Sequence, residues 1–226
     1  MQIKKILIIF TVCFFKLFYF YNANAETEKF LDAFEILQRS ENAFKIILNN
    51  EDLNNFESYF NNAKAVIIFP EIYEGGLFFG AKGGNGLLMI RKNGSWSGPF
   101  FYTIGGVSLG IQFGLKTGKV IFTIMTEKGL ESVLKERVKF GVDIDAAVAN
   151  QGVGYSAEST VRLADVYSFS DNSGLFIGGS FEGTYLQPRN DFNLAFHNKK
   201  FNSDDIFYNK TLHPKATNLV KILKKY

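Results

Sequence analysis

The sequence predicts an α+β fold: a largely antiparallel β-sheet or barrel with an N-terminal, one internal and a C-terminal helix. Three observations predict it. Residues 26–48 place Phe30, Phe34, Leu37, Phe44, Ile47 and Leu48 at spacings of three and four with one longer gap, an apolar stripe of helical period. From Lys64 onward the texture changes to short β-branched and aromatic runs separated by glycine clusters, which is strand-and-turn texture. Helical spacing then returns only briefly, once after Thr126 and once after His213-Pro214.

Taken in order, Glu26, Glu28, Asp32 and Glu35 occupy the opening turns of the first helix, where acids suit the positive end of the helix dipole. Asn49-Asn50 interrupts it, and a second helical piece is expected over 53–60. Ala65-Val66-Ile67-Ile68-Phe69 reads as a buried strand stopped by Pro70, and Gly83-Gly84-Asn85-Gly86 as a glycine turn before a strand at 87–91. Asn93-Gly94 is a strong hairpin signal. Residues 100–113 and 120–125 follow as strands. Thr126 is placed to cap a helix over 127–138. Val138, Phe140, Val142, Ile144, Ala146 and Val148 then alternate with Lys139, Gly141, Asp143, Asp145 and Ala147, the period of a strand with one wet face. Strands at 165–170 and 175–181 come next, then a polar, asparagine-rich stretch and a short final helix ending near Leu223.

The ends bound the function. Lys4 and Lys5, the apolar run 6–15 and Ala23-Asn24-Ala25 are the three parts of a secretory signal, with cleavage expected after Ala25. The apolar run before Lys16 is shorter than the roughly 20 residues that span a bilayer. No small residue precedes Cys13, the only cysteine, so a lipid anchor is not expected and the processed chain has no thiol. The chain carries 25 basic and 22 acidic side chains; removing Lys4, Lys5 and Lys16 leaves 22 of each. A neutral domain lacks the basic balance that nucleic acid demands. The expected organisation is a signal at 1–25, a helical segment at 26–62, a β-rich core at 63–197, and a polar tail with a short helix at 198–226.

The chemistry-bearing residues are sparse. Residues 114–120 are one short of a phosphate loop, lack its hydroxyl and run toward a strand. His197 and His213 are the only histidines, too few for a zinc site of three convergent ligands. Asp143 and Asp145 share a face, the ordinary mark of a solvated strand. No catalytic residue, metal ligand or cofactor is expected. Membrane contact has more to support it. The stripe of Phe30, Phe34 and Leu37 is flanked by Lys29, Arg39 and Lys45, and the C-terminal stretch 219–226 is basic and amphipathic. The bland alternative is that both helices pack their stripes on the sheet.

In chain order, Ala63-Lys64-Ala65-Val66-Ile67-Ile68-Phe69-Pro70, Gly80-Ala81-Lys82-Gly83-Gly84-Asn85-Gly86 and Trp96-Ser97-Gly98-Pro99 are followed by two longer runs. These are Gly105-Gly106-Val107-Ser108-Leu109-Gly110-Ile111-Gln112-Phe113-Gly114 and Gly174-Leu175-Phe176-Ile177-Gly178-Gly179-Ser180-Phe181-Glu182-Gly183. Together they resemble the SYLF domain family. The resemblance implies a non-catalytic phospholipid-binding domain, with phosphoinositides as ligands of eukaryotic members and actin association in fungal ones. The expectation is therefore an exported, periplasmic or secreted module, peripherally associated with a phospholipid membrane surface through Lys29, Phe30, Phe34, Leu37, Arg39 and Lys45. A protein partner is possible under the alternative reading, an envelope scaffold or protein-interaction domain without lipid binding. Actin and nucleic acid are not expected as partners.

Overall fold

The computed structural model of the chain describes residues 26–53, 55–76, 79–109, 114–140, 142–143, 146–148, 165–171, 184–208 and 210–225. The expected signal, the expected strand at 175–181 and Asp145 lie outside these. Helices occupy α1 (26–48), α2 (Phe56–Asn62), α3 (Glu127–Val133), α4 (Asn190–His197), α5 (Ser203–Tyr208) and α6 (Thr217–Leu223). Strands are β1 (Ala65–Gly76), β2 (Phe79–Lys92), β3 (Ser95–Leu109), β4 (Gly114–Ile124), β5 (Val138–Lys139), β6 (Ala146–Val148), β7 (Val166–Ser170) and β8 (Tyr185–Pro188). They form one eight-stranded sheet in the order β5-β8-β3-β2-β1-β4-β7-β6. Every pairing is antiparallel except β6 with β7. The fold is α+β.

Both faces of the sheet are buried except at one end. Val66, Ile68, Leu87, Met89, Phe101 and Ile121 face a layer made by α1, α2, α4 and α6, which contribute Leu37, Phe44, Phe60, Phe196 and Leu219. Ala65, Ile67, Phe69, Leu88, Phe100 and Phe122 face the other way, where Leu130 and Val133 of α3 and Ile206 of α5 cover them. Two-sided burial explains why 65–69 is continuously apolar rather than alternating. Arg91 ties the helical layer to the hairpin. Its guanidinium lies 5.0 Å from the Phe60 ring centroid and 4.6 Å from that of Trp96. It also donates to the Phe60 and Asn61 carbonyls at 2.7 Å, satisfying the open end of α2.

Pro70 does not stop β1. The strand runs on to Gly76, and both of its ladders shift register around the proline, between Phe69 and Ile72 against β4 and between Ile68 and Tyr73 against β2. A proline has no amide hydrogen to give a ladder, and a bulge is where a strand tolerates it. The bulge also explains the glycines opposite, which are mid-strand in β2 rather than a turn. A Cβ on Gly84 would sit 2.4 Å from the Glu71 carbonyl oxygen, and one on Gly86 would sit 2.4 Å from that of Ile68.

Local chemistry sets several boundaries. Asn93 and Gly94 adopt φ of 51° and 74°, the two left-handed positions of a tight hairpin. Thr126 accepts the Gly129 amide at 2.9 Å and starts α3. That helix ends earlier than its spacing suggests, because Val138 and Phe140 are drawn into the core and Ser203 caps the Leu134 carbonyl. The alternation over 138–148 is broken as well. The amides of Val142 and Asp143 turn back to the Lys139 carbonyl at 3.3 and 2.9 Å, closing a turn between β5 and β6. The stretch beyond Pro188 read as polar carries α4 and α5, and its buried Phe192, Phe196 and Ile206 make it part of both cores, while the expected final helix is α6.

His197 Nε2–H donates to the Pro99 carbonyl at 2.6 Å, and His213 Nδ1 accepts the Lys215 amide at 3.3 Å. Burial lowers both imidazoles below the ordinary value of 6.5, helped by His213 at His197 and by Lys215 at His213, while the Pro99 bond opposes it. The native state thus binds fewer protons than the unfolded chain. Stability is full above 6.5 and is lost as pH falls through the native values, with the more open His213 contributing less.

Four outcomes follow from this architecture. Gly84→Ala should cost about 2 kcal/mol or more in urea unfolding. Gly83→Ala, whose Cβ would meet only the Ile104 oxygen at 3.5 Å, should stay within about 0.5 kcal/mol of the parent. Leu37→Ala should cost roughly 3 kcal/mol, since its side chain is enclosed. Unfolding midpoints measured at descending pH should fall below the histidine value, and less so in His197→Gln; a flat profile would contradict the assignment.

Candidate functional site

The apolar stripe of α1 is turned inward. Leu37 is fully buried with Phe44 and Ile47, so it has no surface to offer a membrane and is a core residue. Phe30 and Phe34 are half-buried against the same core. Their rings stack at 6.4 Å, Phe30 stacks on Phe196 at 5.6 Å, and the Lys215 ammonium lies 5.3 and 4.9 Å from the two centroids. An amphipathic helix has the same periodicity whether a bilayer or a sheet receives its stripe, and here the sheet does. The flanking cations are spread along α1. Lys29 lies 3.7 Å from Asp191, and Arg39 bonds Glu71 and lies 3.6 Å from Glu35. Lys45 is exposed.

Arg39 marks where the helical cover ends. Glu71 is held below the usual carboxylate range first by its hydrogen bond with Tyr73 and then by Arg39, against the effect of burial. On the far side Arg189 grips Asp191 with two bonds of 2.9 Å and donates to Asn85 at 2.8 Å. Arg189 holds Asp191 below its ordinary value. Past this polar border the helix-side face of the sheet is uncovered. Val107 is 74% exposed there.

A cavity of about 670 Å³ opens at this end, lined by Ala81, Lys82, Gly106, Val107, Arg137, Lys139, Asp143 and Tyr185. The Arg137 guanidinium lies 4.2 Å from the Tyr185 ring centroid, stacked as a cation on an aromatic face. Tyr185 in turn lies against Gly105, where a Cβ would come within 2.7 Å of the hydroxyl. The Asp143 carboxylate accepts the Lys139 amide at 2.7 Å and locks the turn after β5. That turn leaves Val142 74% exposed. Periodicity alone places Val142 on a buried face; the hydrogen-bonded turn overrides it. Arg137 and Lys139 are themselves exposed.

The opposite face holds a buried charge pair at the same level. Glu74 and Lys82, 4% and 6% exposed, are direct cross-strand partners, and Lys116 is the partner of Glu74 on its other side. Burial lowers the Lys82 ammonium, and Glu74 pulls it back toward its ordinary value. A buried charge without its partner is costly, so the pair sets the end of the apolar core. What the arrangement offers chemically is two exposed cations, an aromatic ring and the exposed Val107 on one rim, with the exposed Val142 on the adjoining turn.

The family model described as "Ysc84: Las17-binding protein actin regulator" matches residues 105–226, more than half of the chain. "SH3 domain-containing YSC84-like protein 1" of Pongo abelii is 28% identical over 170 residues, covering 73% of this chain and 49% of that protein. The Homo sapiens protein of the same name is 27% identical over 168 residues, with the same shares. "Protein YSC84" of Saccharomyces cerevisiae is 27% identical over 169 residues, covering 72% of this chain and 36% of the relative. The chain thus spans about half the length, or less, of the curated relatives it matches. The motif order, the half-enclosed glycine-rich sheet and these matches agree: this chain belongs to the SYLF (Ysc84) domain family.

Proposed function

We propose that the chain is a non-catalytic module that adsorbs to anionic phospholipid surfaces through the uncovered end of its sheet. The observation that carries the reading is the rim of the large cavity, where Val107 is 74% exposed beside Arg137 and Lys139, and Val142, also 74% exposed, directly precedes the lining Asp143. Apolar side chains that enter the headgroup boundary, flanked by cations that meet phosphate, are the two parts of reversible interfacial binding. The contact differs from insertion by α1, whose stripe is occupied by the core. With the leader removed, such a module would act as an exported, periplasmic or secreted protein.

A second reading has its own observation. The outward surface of α1 carries Glu28, Asp32 and Glu35, an acidic ridge suited to a basic protein partner rather than to an anionic membrane. The family's description as a Las17-binding actin regulator supports protein recognition as a role for this chain too.

Co-sedimentation of the processed protein with neutral and anionic vesicles separates the readings. Binding to anionic vesicles that weakens with salt is expected, falling by about fivefold for each of Arg137→Glu and Lys139→Glu. Val107→Asp should weaken it further without changing the unfolding midpoint. Protein that stays in the supernatant with every vesicle would overturn the lipid reading, and a stoichiometric protein partner lost on Asp32→Lys would favour the second.

A further inference from the structure

We propose that a separate pocket at the base of the β2–β3 hairpin binds an oxyanion, a phosphate or carboxylate, carried by a small ligand with a flat apolar body. The pocket has a volume of about 480 Å³. Lys64, Arg91, Lys92 and Lys210 line it against a single acid, Glu127. It lies at the other end of β2 from Lys82 and the valine rim, since Arg91 and Lys92 close that strand.

One orphan group shows that the pocket is built for a polar guest. Ser97 is 3% exposed and is among the lining residues. It pairs with Ile90 across the hairpin, which puts its side chain on the face that carries Leu130 and Phe207. Among the described residues its Oγ has no hydrogen-bond partner. A buried donor left unmet costs free energy, and a native fold retains few of them without a reason. The hydroxyl can donate, and an oxyanion accepts.

Two of the cations around this donor have contacts of their own. Lys64 is pinned between strands, its amide donating to Ile124 at 2.8 Å and its carbonyl accepting from Arg91 at 2.7 Å. Its ammonium lies 3.6 Å from Glu127, an exposed pair that an incoming anion can displace. The Lys92 ammonium bonds the Phe207 carbonyl and sits 3.7 Å from the Phe207 ring centroid, with hydrogens to spare. Phe207 and Leu130 supply an apolar wall, which is why a flat body attached to the anion is favoured over the bare ion.

Trp96 is the only tryptophan in the chain and adjoins Ser97, so its fluorescence reports on this end of the hairpin. The full processed protein is titrated with inorganic phosphate, phenyl phosphate, benzoate and anionic vesicles. A saturable Trp96 response is expected, stronger for phenyl phosphate than for phosphate. Ser97→Ala should weaken it by about tenfold, because a hydrogen bond to a charged group is lost, while leaving the unfolding midpoint unchanged or raised. Lys210→Gln, an exposed change that does not threaten folding, should also weaken it and reduce its salt dependence. A saturable response to vesicles alone, lost in Ser97→Ala, would keep the pocket and assign the oxyanion to a lipid headgroup. No saturable response to any probe, or one indifferent to both variants, would overturn the proposal.

Discussion

The architecture depends on β1 being buried on both sides while carrying a bulge at its middle. A twelve-residue strand hydrogen-bonded to β2 and β4 and packed between two apolar layers leaves its neighbours little freedom. Pro70 breaks both ladders at one place, and the displaced carbonyls of Ile68 and Glu71 press into β2 where only glycine leaves room. Bulge and glycines are therefore one device read from two strands. The device also re-aims Glu71 toward Arg39, which joins α1 to the sheet at the point where the helical layer ends.

That border decides which surfaces stay open. Most of the large apolar side chains of α1 are spent inside, so the surfaces proposed for recognition lie at the two ends of β2. One end carries the exposed valines with Arg137, Lys139 and Tyr185. The other carries the hairpin base with Trp96 and its cations. Neither group is contiguous in sequence: Tyr185 lies beside Arg137 only because β8 pairs with both β3 and β5, and Phe207 reaches Lys92 from α5.

Periodicity and caps made much of the frame readable. The stripe of α1, the Asn93-Gly94 hairpin and the Thr126 cap rest on interactions within a few residues, which sequence carries directly. Pro70 and Gly83–Gly86 misled because their meaning is long-range: the same residue types mark a turn in isolation and a bulge with close strand approach in a sheet. Asn190–His197 escaped because asparagine and aspartate are weak helix formers, and Phe192 and Phe196 are its only pair of large apolar residues at helical spacing. The direction of the α1 stripe was not legible at all, since a bilayer and a sheet ask for the same pattern. Val142 was assigned to a buried face for the corresponding reason, its strand period being cut by the Lys139–Asp143 turn.

Asn193 has a role that reaches beyond its own helix. Where β8 ends, its amide side chain takes the place of the missing strand, accepting the Phe101 amide at 2.7 Å and donating to the Phe101 carbonyl at 3.1 Å. An open sheet edge invites a strand from another molecule, the first step of edge-to-edge aggregation. With Arg189 also bonded to the Phe101 carbonyl at 2.8 Å, that stretch of β3 is plugged by side chain and main chain from its own polypeptide. At this margin of a glycine-rich, aromatic sheet, one carboxamide closes the edge by imitating a backbone.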